Sequence, residues 1–346
     1  MVAQKLKQWL IFFRAHTGML EAPIPAFGAA VALGSLWRVE VFGWAVVGLL
    51  YHFAGYGQNS YYDWEKGYDK DDPHKQHHPL NTGAINPQRA EFAANAMVAA
   101  TVLSIVMLTG FTVAPLLLLA VALLSGLLYN LYGKSVTHKY ILLAVAHSML
   151  FVIPYTLYGN GKLRFAAMIF LALVVHHCFQ IAISGDVKDI NQDESSLLNK
   201  IGVVWEDGSD LIVSYDGTIK NGVIKHTRNV DIVVTFVTAL QVAFALVALC
   251  LTELSLEPIS GIVFLMLLGS ISLWLVSIRI VTSGPYIRKQ RMRNIAVREL
   301  IGFWIIYMAF IPIIGGMGYA IAFILCILYL FTLSKAMWGT LLRPKV

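Results

Sequence analysis

The sequence predicts an all-α polytopic membrane bundle of nine to ten transmembrane helices, and three observations predict it. Of its 346 residues 58% are hydrophobic and 13% charged, with a mean hydropathy of +0.67. That balance lies outside the range of soluble globular domains. Apolar stretches long enough to cross hydrocarbon recur along the whole chain. Basic residues gather on alternate connections between those stretches, the asymmetry that orients a protein in a bilayer.

Taken in order, residues 1–16 (MVAQKLKQWLIFFRAH) are basic and amphipathic, with Leu6, Trp9, Leu10 and Phe13 on one side. They suit a helix lying in the interface, and no cleavable signal peptide is evident. Spans are expected near 18–37, 40–60, 90–110, 112–132, 139–158, 163–185, 230–252 and 257–280. The block 298–338 is too long for one helix, and Gly315–Gly316 divides it. Two helices there give ten spans; nine follow if one of the pair lies in the interface or re-enters. No linker divides the chain, so residues 1–346 are expected to form a single integral membrane domain.

One connection carries a polar insertion, residues 205–226. There Leu211–Val213 and Thr218–Ile224 flank Asp216-Gly217, a good two-residue hairpin turn. A short extramembrane hairpin is expected, serving as a lid or simply as a solvated loop. Cys178, Cys250 and Cys326 all fall inside predicted spans, where they read as small buried packing residues with no disulfide framework.

The charge pattern sets the topology. The N-terminal segment and the connections 61–89, 134–139, 186–229 and 279–298 hold 20 of the 26 basic residues. The opposite face, up to the eighth span, has only Arg38, Lys162 and Arg164. The basic-rich connections should therefore be cytoplasmic. The tail, with Lys335, Arg343 and Lys345, is basic too, which favours an even number of spans. The net charge of +6 reads as this topology signal plus attraction to anionic lipid or substrate, and not as a nucleic-acid footprint.

Two acidic clusters stand at membrane edges of this apolar chain. The first is NSYYDWEKGYDKDDPHKQHHPL, with Asn59, Asp63, Asp69, Asp71 and Asp72; the second is SGDVKDINQDE, with Asp186, Asp189 and Asp193. Carboxylates near hydrocarbon cost several kcal/mol unless they pair or bind something, which marks them as functional candidates. Asn59 and Asp63 share a helix face at the end of the second span, and Gly67 lets the chain turn into the loop that carries the other aspartates. Asp186, Asp189 and Asp193 fall at i, i+3 and i+7, one stripe on the sixth helix as it leaves the membrane. Hard oxygen donors suit Mg²⁺, and two carboxylate sets can hold Mg²⁺ against a diphosphate. His74, His77 and His78 lie in a polar loop without a convincing fourth ligand, so zinc is not expected there. His176 and His177, inside the sixth helix, read as polar packing.

NSYYDWEKGYDKDD followed by HHPLNTGAIN resembles the first aspartate motif of the UbiA superfamily of intramembrane prenyltransferases. Asn59, Asp63, Asp69 and Asp72 stand at its acidic positions, and Pro79, Leu80 and Gly83 follow. GDVKDINQDE resembles the second motif. RAHTGMLEAPIPAFGAAVALG resembles the family's first helix, including Arg14 and Thr17, and Tyr129–Lys139 is similar in position to its Tyr/Lys-containing loop. The resemblance covers roughly residues 10–280.

The resemblance implies a helical bundle with a central cavity capped on the cytoplasmic side, and Mg²⁺-dependent ionisation of an isoprenyl diphosphate. Asn59, Asp63, Asp69, Asp72, Asp186, Asp189 and Asp193 would be the metal ligands, with Asp63 and Asp189 essential for turnover. Arg14, Lys134, Lys139, Lys188 and His78 would meet the diphosphate, and the ring faces of Tyr129 and Tyr132 would stabilise an allylic cation. The cation would alkylate an acceptor small molecule or lipid, with the prenyl tail among membrane lipids. His78 stands where Arg is usual before Pro-Leu, implying a weaker or pH-sensitive phosphate contact; Glu194 and the 205–226 insertion also depart from the pattern. Tyr61–Asp69 is similar in wording to members that prenylate a quinone precursor, whereas His-Pro-Leu resembles ether-lipid branches. A terpene cyclase on the same scaffold is the alternative outcome. A transporter is disfavoured because the acids sit at one membrane edge and the mid-span regions are nearly free of charge.

Overall fold

The computed structural model describes residues 2–70, 75–132, 136, 138–159, 161–188, 190, 196–207, 219–252 and 256–339. The chain is a helical bundle of two compact units, one formed by Met1–Leu131, Met149–Asn160 and Ala320–Val346, the other by Tyr132–Ser148 and Gly161–Tyr319. Among the described residues eight helices are long and apolar enough to cross a membrane.

In the first unit α1 (Val2–Phe12) is followed by a 3₁₀ turn (Ala15–Thr17), α2 (Gly18–Glu21) and α3 (Pro23–Leu33). Where one span was expected over 18–37, the helical run is thus built from short pieces. Pro23 starts α3 where its missing N–H costs nothing, and Gly34, at φ +69°, ends it. α4 (Val39–Glu65) packs against α3 and against α5 (Pro87–Thr109). Glycines permit this close packing: a Cβ on Gly48 would lie 2.6 Å from Ala22 Cα, and one on Gly57 2.8 Å from the Phe13 ring. Asn86 caps α5, its side chain accepting from the Gln88 and Arg89 N–H groups at 3.0 and 3.4 Å. α6 (Val113–Tyr132) and the second half of α7 (Lys139–Tyr158) complete the unit with most of α15 (Gly316–Trp338). α5, α6 and α15 bury little of their apolar length, and residues such as Leu103, Met107, Leu117 and Leu124 are exposed. Such continuous outward apolar faces suit lipid.

The second unit is organised by α8 (Leu163–Phe179), α11 (Arg228–Cys250), α12 (Leu256–Val281) and α13 (Arg288–Met308). α8 continues through a π-helical turn, Gln180–Gly185, into the short α9 (Asp186–Lys188). After α10 (Leu197–Ile201) comes a three-stranded antiparallel sheet, β1 (Val203–Asp207), β2 (Ile219–His226) and β3 (Gly284–Ile287), in that order. The insertion and the residues before it form paired strands, Val203–Asp207 against Ile219–His226, while Leu211–Val213 and Asp216-Gly217 lie outside the described residues. β3 was not foreseen; Tyr286 on it is fully buried and meets the Trp205 ring edge-on at 5.4 Å.

The structure also corrects the segment 279–298, expected as a basic loop: α13 begins at Arg288. Arg288, Arg291 and Arg298 are buried on it. Arg291 donates to the Ile280 and Thr282 carbonyls, satisfying the open end of α12 as a basic side chain at a helix C-terminus can. α14 (Ile311–Ile314) and Gly315, at φ +78°, separate α13 from α15, so the break falls at the glycines. The run 15–33 is divided into three short elements and α13 carries Arg288, Lys289, Arg291, Arg293, Arg298 and Glu299, so neither is among those eight helices. Of the cysteines only Cys326 is buried; Cys178 is half-buried and Cys250 exposed.

Candidate active site

In the first unit, α4 delivers the first acidic motif. His52, Tyr56, Asn59 and Asp63 follow one another at spacings of four, three and four, so they line one face of the helix. Asn59 and Asp63 are half-buried. Gly67, at φ +86°, reverses the chain, and the Asp69 N–H returns to the Asp63 carbonyl at 3.2 Å. Asp69 is only 3% exposed. Both of its oxygens accept from the Lys75 ammonium, at 3.1 and 3.0 Å. The Asn81 amide ties the loop together, donating to the Asp69 and Lys75 carbonyls at 2.8 and 2.9 Å. Leu80 and Ile85 anchor the following turn among Phe12, Phe13 and Ala90. Asp71, Asp72 and His74 lie outside the described residues.

His78 departs from expectation. It is 8% exposed beside the Phe12 ring, and its Nδ1 has no hydrogen-bond partner among the described residues. Burial, assisted by the Lys75 charge, pushes its pKa down to about 3. The ring is thereby held neutral.

Arg14 adopts the left-handed conformation, φ 47° and ψ 43°, and its guanidinium stands 5.0 Å from the Tyr56 ring centre. Lys66 donates to the Asn130 and Leu131 carbonyls, closing the C-terminal end of α6. Tyr129 on that last turn is half-buried, and Tyr132 is exposed.

In the second unit, Asp186 opens the second motif directly after the π-helical turn. Such turns are rare and concentrate at functional sites. Asp186 is 5% exposed, and its Oδ2 accepts the Leu197 N–H at 3.1 Å. The carboxylate therefore closes the base of the loop that leaves α9 and re-enters at α10, where Ser196 caps the new helix through the Asn199 N–H. Oδ1 lies 3.8 Å from the Nζ of Lys139, itself 8% exposed. α9 is described as far as Lys188, and Asp189, Asp193 and Lys134, the other residues expected at this site, lie outside the described residues. Of Lys188 only the backbone is described.

Two polar assemblies escaped the sequence reading. Glu21 and His52 form a buried pair in the first unit, with Nδ1 to Oε2 at 3.2 Å. In the second unit Arg298 is completely buried 3.6 Å over the Phe179 ring and bonds His176, Gln241 and Ser277. The only sequence signal for either was a charged residue inside or beside an apolar run.

The family profile described as UbiA prenyltransferase family matches residues 22–286. The chain belongs to the UbiA prenyltransferase family. It is an integral membrane protein with a UbiA-type helical bundle. A UbiA homologue from Archaeoglobus fulgidus bound to GPP and Mg²⁺ superposes with a TM-score of 0.58 at 16% identity, covering 88% of this chain and 99% of that one. The same homologue bound to DMAPP and Mg²⁺ gives 0.57 with the same identity and coverage. A UbiA homologue from Aeropyrum pernix K1, without ligand, gives 0.51 at 16% identity over 89% of this chain and 98% of that one. These likenesses show a shared fold. No curated protein matches the sequence.

Proposed function

We propose that this UbiA-family protein transfers an isoprenyl group from a polyprenyl diphosphate to an acceptor and releases diphosphate, with Mg²⁺ as cofactor. The observation that carries the reading is a pair of buried carboxylates, Asp69 in the turn after α4 and Asp186 at the start of α9, both within the stretch that the family profile matches. Related structures hold GPP or DMAPP with Mg²⁺.

The donor chemistry fits the metal. Asn59, Asp63, Asp69, Asp72, Asp186, Asp189 and Asp193 offer only hard oxygen atoms, the kind Mg²⁺ takes. Asp69 already holds a cation, the Lys75 ammonium, at both oxygens. Bound there, Mg²⁺ would neutralise a diphosphate and make it a better leaving group. Arg14, Lys139, Lys134 and Lys188 would add positive charge against the departing oxygens. His78, neutral, would contribute at most one N–H. Tyr129 and Tyr132 would offer ring faces to the allylic cation.

For the acceptor we favour an aromatic quinone precursor, on the wording of Tyr61–Asp69. The membrane face carrying both motifs is assigned to the cytoplasm from the placement of the basic residues. The test uses purified protein in detergent with an allylic diphosphate and Mg²⁺. Diphosphate release that requires an aromatic acceptor supports this reading. Release that requires a glycerol-phosphate lipid acceptor assigns an ether-lipid enzyme, and a cyclic hydrocarbon or alcohol formed without acceptor assigns a cyclase. No diphosphate release, with gradient-driven uptake in liposomes, would overturn the enzyme reading.

A further inference from the structure

The buried pair Glu21–His52 lies in the first unit on the same face of α4 as Asn59 and Asp63, two turns further from the acidic end. Glu21 is 4% exposed and His52 1%, so neither is placed to touch a substrate. Their bonds lead elsewhere. His52 Nδ1 meets Glu21 Oε2 at 3.2 Å, and His52 Nε2 lies 3.2 Å from the Arg14 carbonyl oxygen. Both partners are hydrogen-bond acceptors, so the His52 ring bridges the Glu21 carboxylate and the Arg14 carbonyl through its two nitrogens. The Thr17 hydroxyl donates to the same Arg14 carbonyl at 2.9 Å.

Arg14 is the residue that needs holding. Its backbone is left-handed, a conformation that side chains other than glycine rarely adopt without support. It forms the turn between α1 and the helical run that begins at Ala15, and two donors converge on its carbonyl. The turn sets the guanidinium over Tyr56, one helical turn before Asn59. His16 and Tyr51 are buried close by, and the Tyr329 hydroxyl fixes the next peptide by donating to the Ala15 carbonyl at 2.9 Å.

We propose that Glu21 and His52 are positioning residues: they lock the left-handed turn at Arg14 and so present its guanidinium along the Asn59–Asp63 face of α4 to a diphosphate. This rests on the reading that Arg14 meets the diphosphate.

The test is a double-mutant cycle read by calorimetric binding of inorganic diphosphate with Mg²⁺ to the full-length protein in detergent. Arg14→Ala and His52→Ala should each weaken binding by about tenfold, the effect of one charge-assisted contact. The double variant should bind no more weakly than Arg14→Ala alone, because His52 acts through Arg14. Glu21→Gln keeps the size of the side chain and gives the same comparison if His52→Ala does not fold. His52→Gln, which retains one amide donor, should recover part of the affinity, and only when Arg14 is present. Losses that add in the double variant, or unchanged affinity in well-folded Glu21→Gln and His52→Ala, overturn the positioning role and leave the proposed function standing. A wild-type protein that binds no diphosphate overturns the proposed function and this role with it.

Discussion

Replacing Asp186 by Asn separates the two tasks that the structure gives this carboxylate. Asn keeps an oxygen able to accept the Leu197 N–H, so the loop base stays closed, but it removes the charge facing Lys139. At 3.8 Å the gross Coulomb term is about 4 kcal/mol at an effective dielectric near 20. Desolvation of both groups offsets part of it, and breaking a buried pair costs about 3 kcal/mol at the low end of what is observed. Asp186→Ala should lose a further ~1–2 kcal/mol, because the Leu197 N–H is then left without its acceptor. Thermal unfolding in detergent should therefore rank wild type above Asp186→Asn and Asp186→Ala lowest. Adding Lys139→Met to Asp186→Asn should restore stability, since it removes the unmatched charge. Turnover should not return in that double variant, because the proposed function uses both groups; a loss of at least about 100-fold corresponds to ~2.7 kcal/mol of transition-state stabilisation. A well-folded Asp186→Asn protein with unchanged melting and near-normal diphosphate release would refute this reasoning.

Other outcomes follow from the same geometry. Gly28→Ala should destabilise the first unit by about 1–3 kcal/mol or more, because its Cβ would sit 2.2 Å from the Phe151 carbonyl oxygen, a backbone atom that cannot rotate away; a melting temperature equal to wild type would contradict this. His78 is held neutral in the folded state with a pKa near 3, so its contribution to stability is complete above the unfolded pKa of about 6.5 and is lost as pH falls from there toward 3, by up to about 1.4 kcal/mol per pH unit. His78→Leu should flatten that part of the stability–pH curve, and an unchanged slope would show that His78 is not its source. In a cysteine-free background, Tyr68→Cys and Lys200→Cys should label from the cytoplasmic side and Arg164→Cys from the other; any other pattern would overturn the topology read from the basic residues.

Much of this molecule was legible in its sequence, for identifiable reasons. Apolar runs locate the eight spanning helices because hydrocarbon thickness imposes a minimum length that few other constraints imitate. The Gly315–Gly316 break was visible because glycine readily takes the positive φ found there. Asp63 and Asp69 could be proposed together from spacing alone, since α4 and the turn at Gly67 keep them close in the chain. The rest depended on partners distant in sequence. Glu21 takes its place in the first unit from His52, a partner 31 residues away in the chain. Arg291 and Arg298 counted as loop charges because composition does not reveal that a helix end and a tyrosine face will take in the first, and the buried Gln241 and His176 the second. The π-helical turn before Asp186 shifts the register of that helix without any residue that announces it, and β3 pairs with a strand some sixty residues earlier in the chain.

The central claim is that the acidic motifs serve Mg²⁺-dependent cleavage of an isoprenyl diphosphate. The most direct measurement is diphosphate release by the purified protein supplied with an allylic diphosphate and acceptor, with and without Mg²⁺, for wild type, Asp63→Asn and Asp189→Asn. The account predicts release by wild type that stops when Mg²⁺ is chelated and falls by orders of magnitude in both variants, with their folding intact. Near-normal release in either well-folded variant, or release indifferent to Mg²⁺, would contradict it.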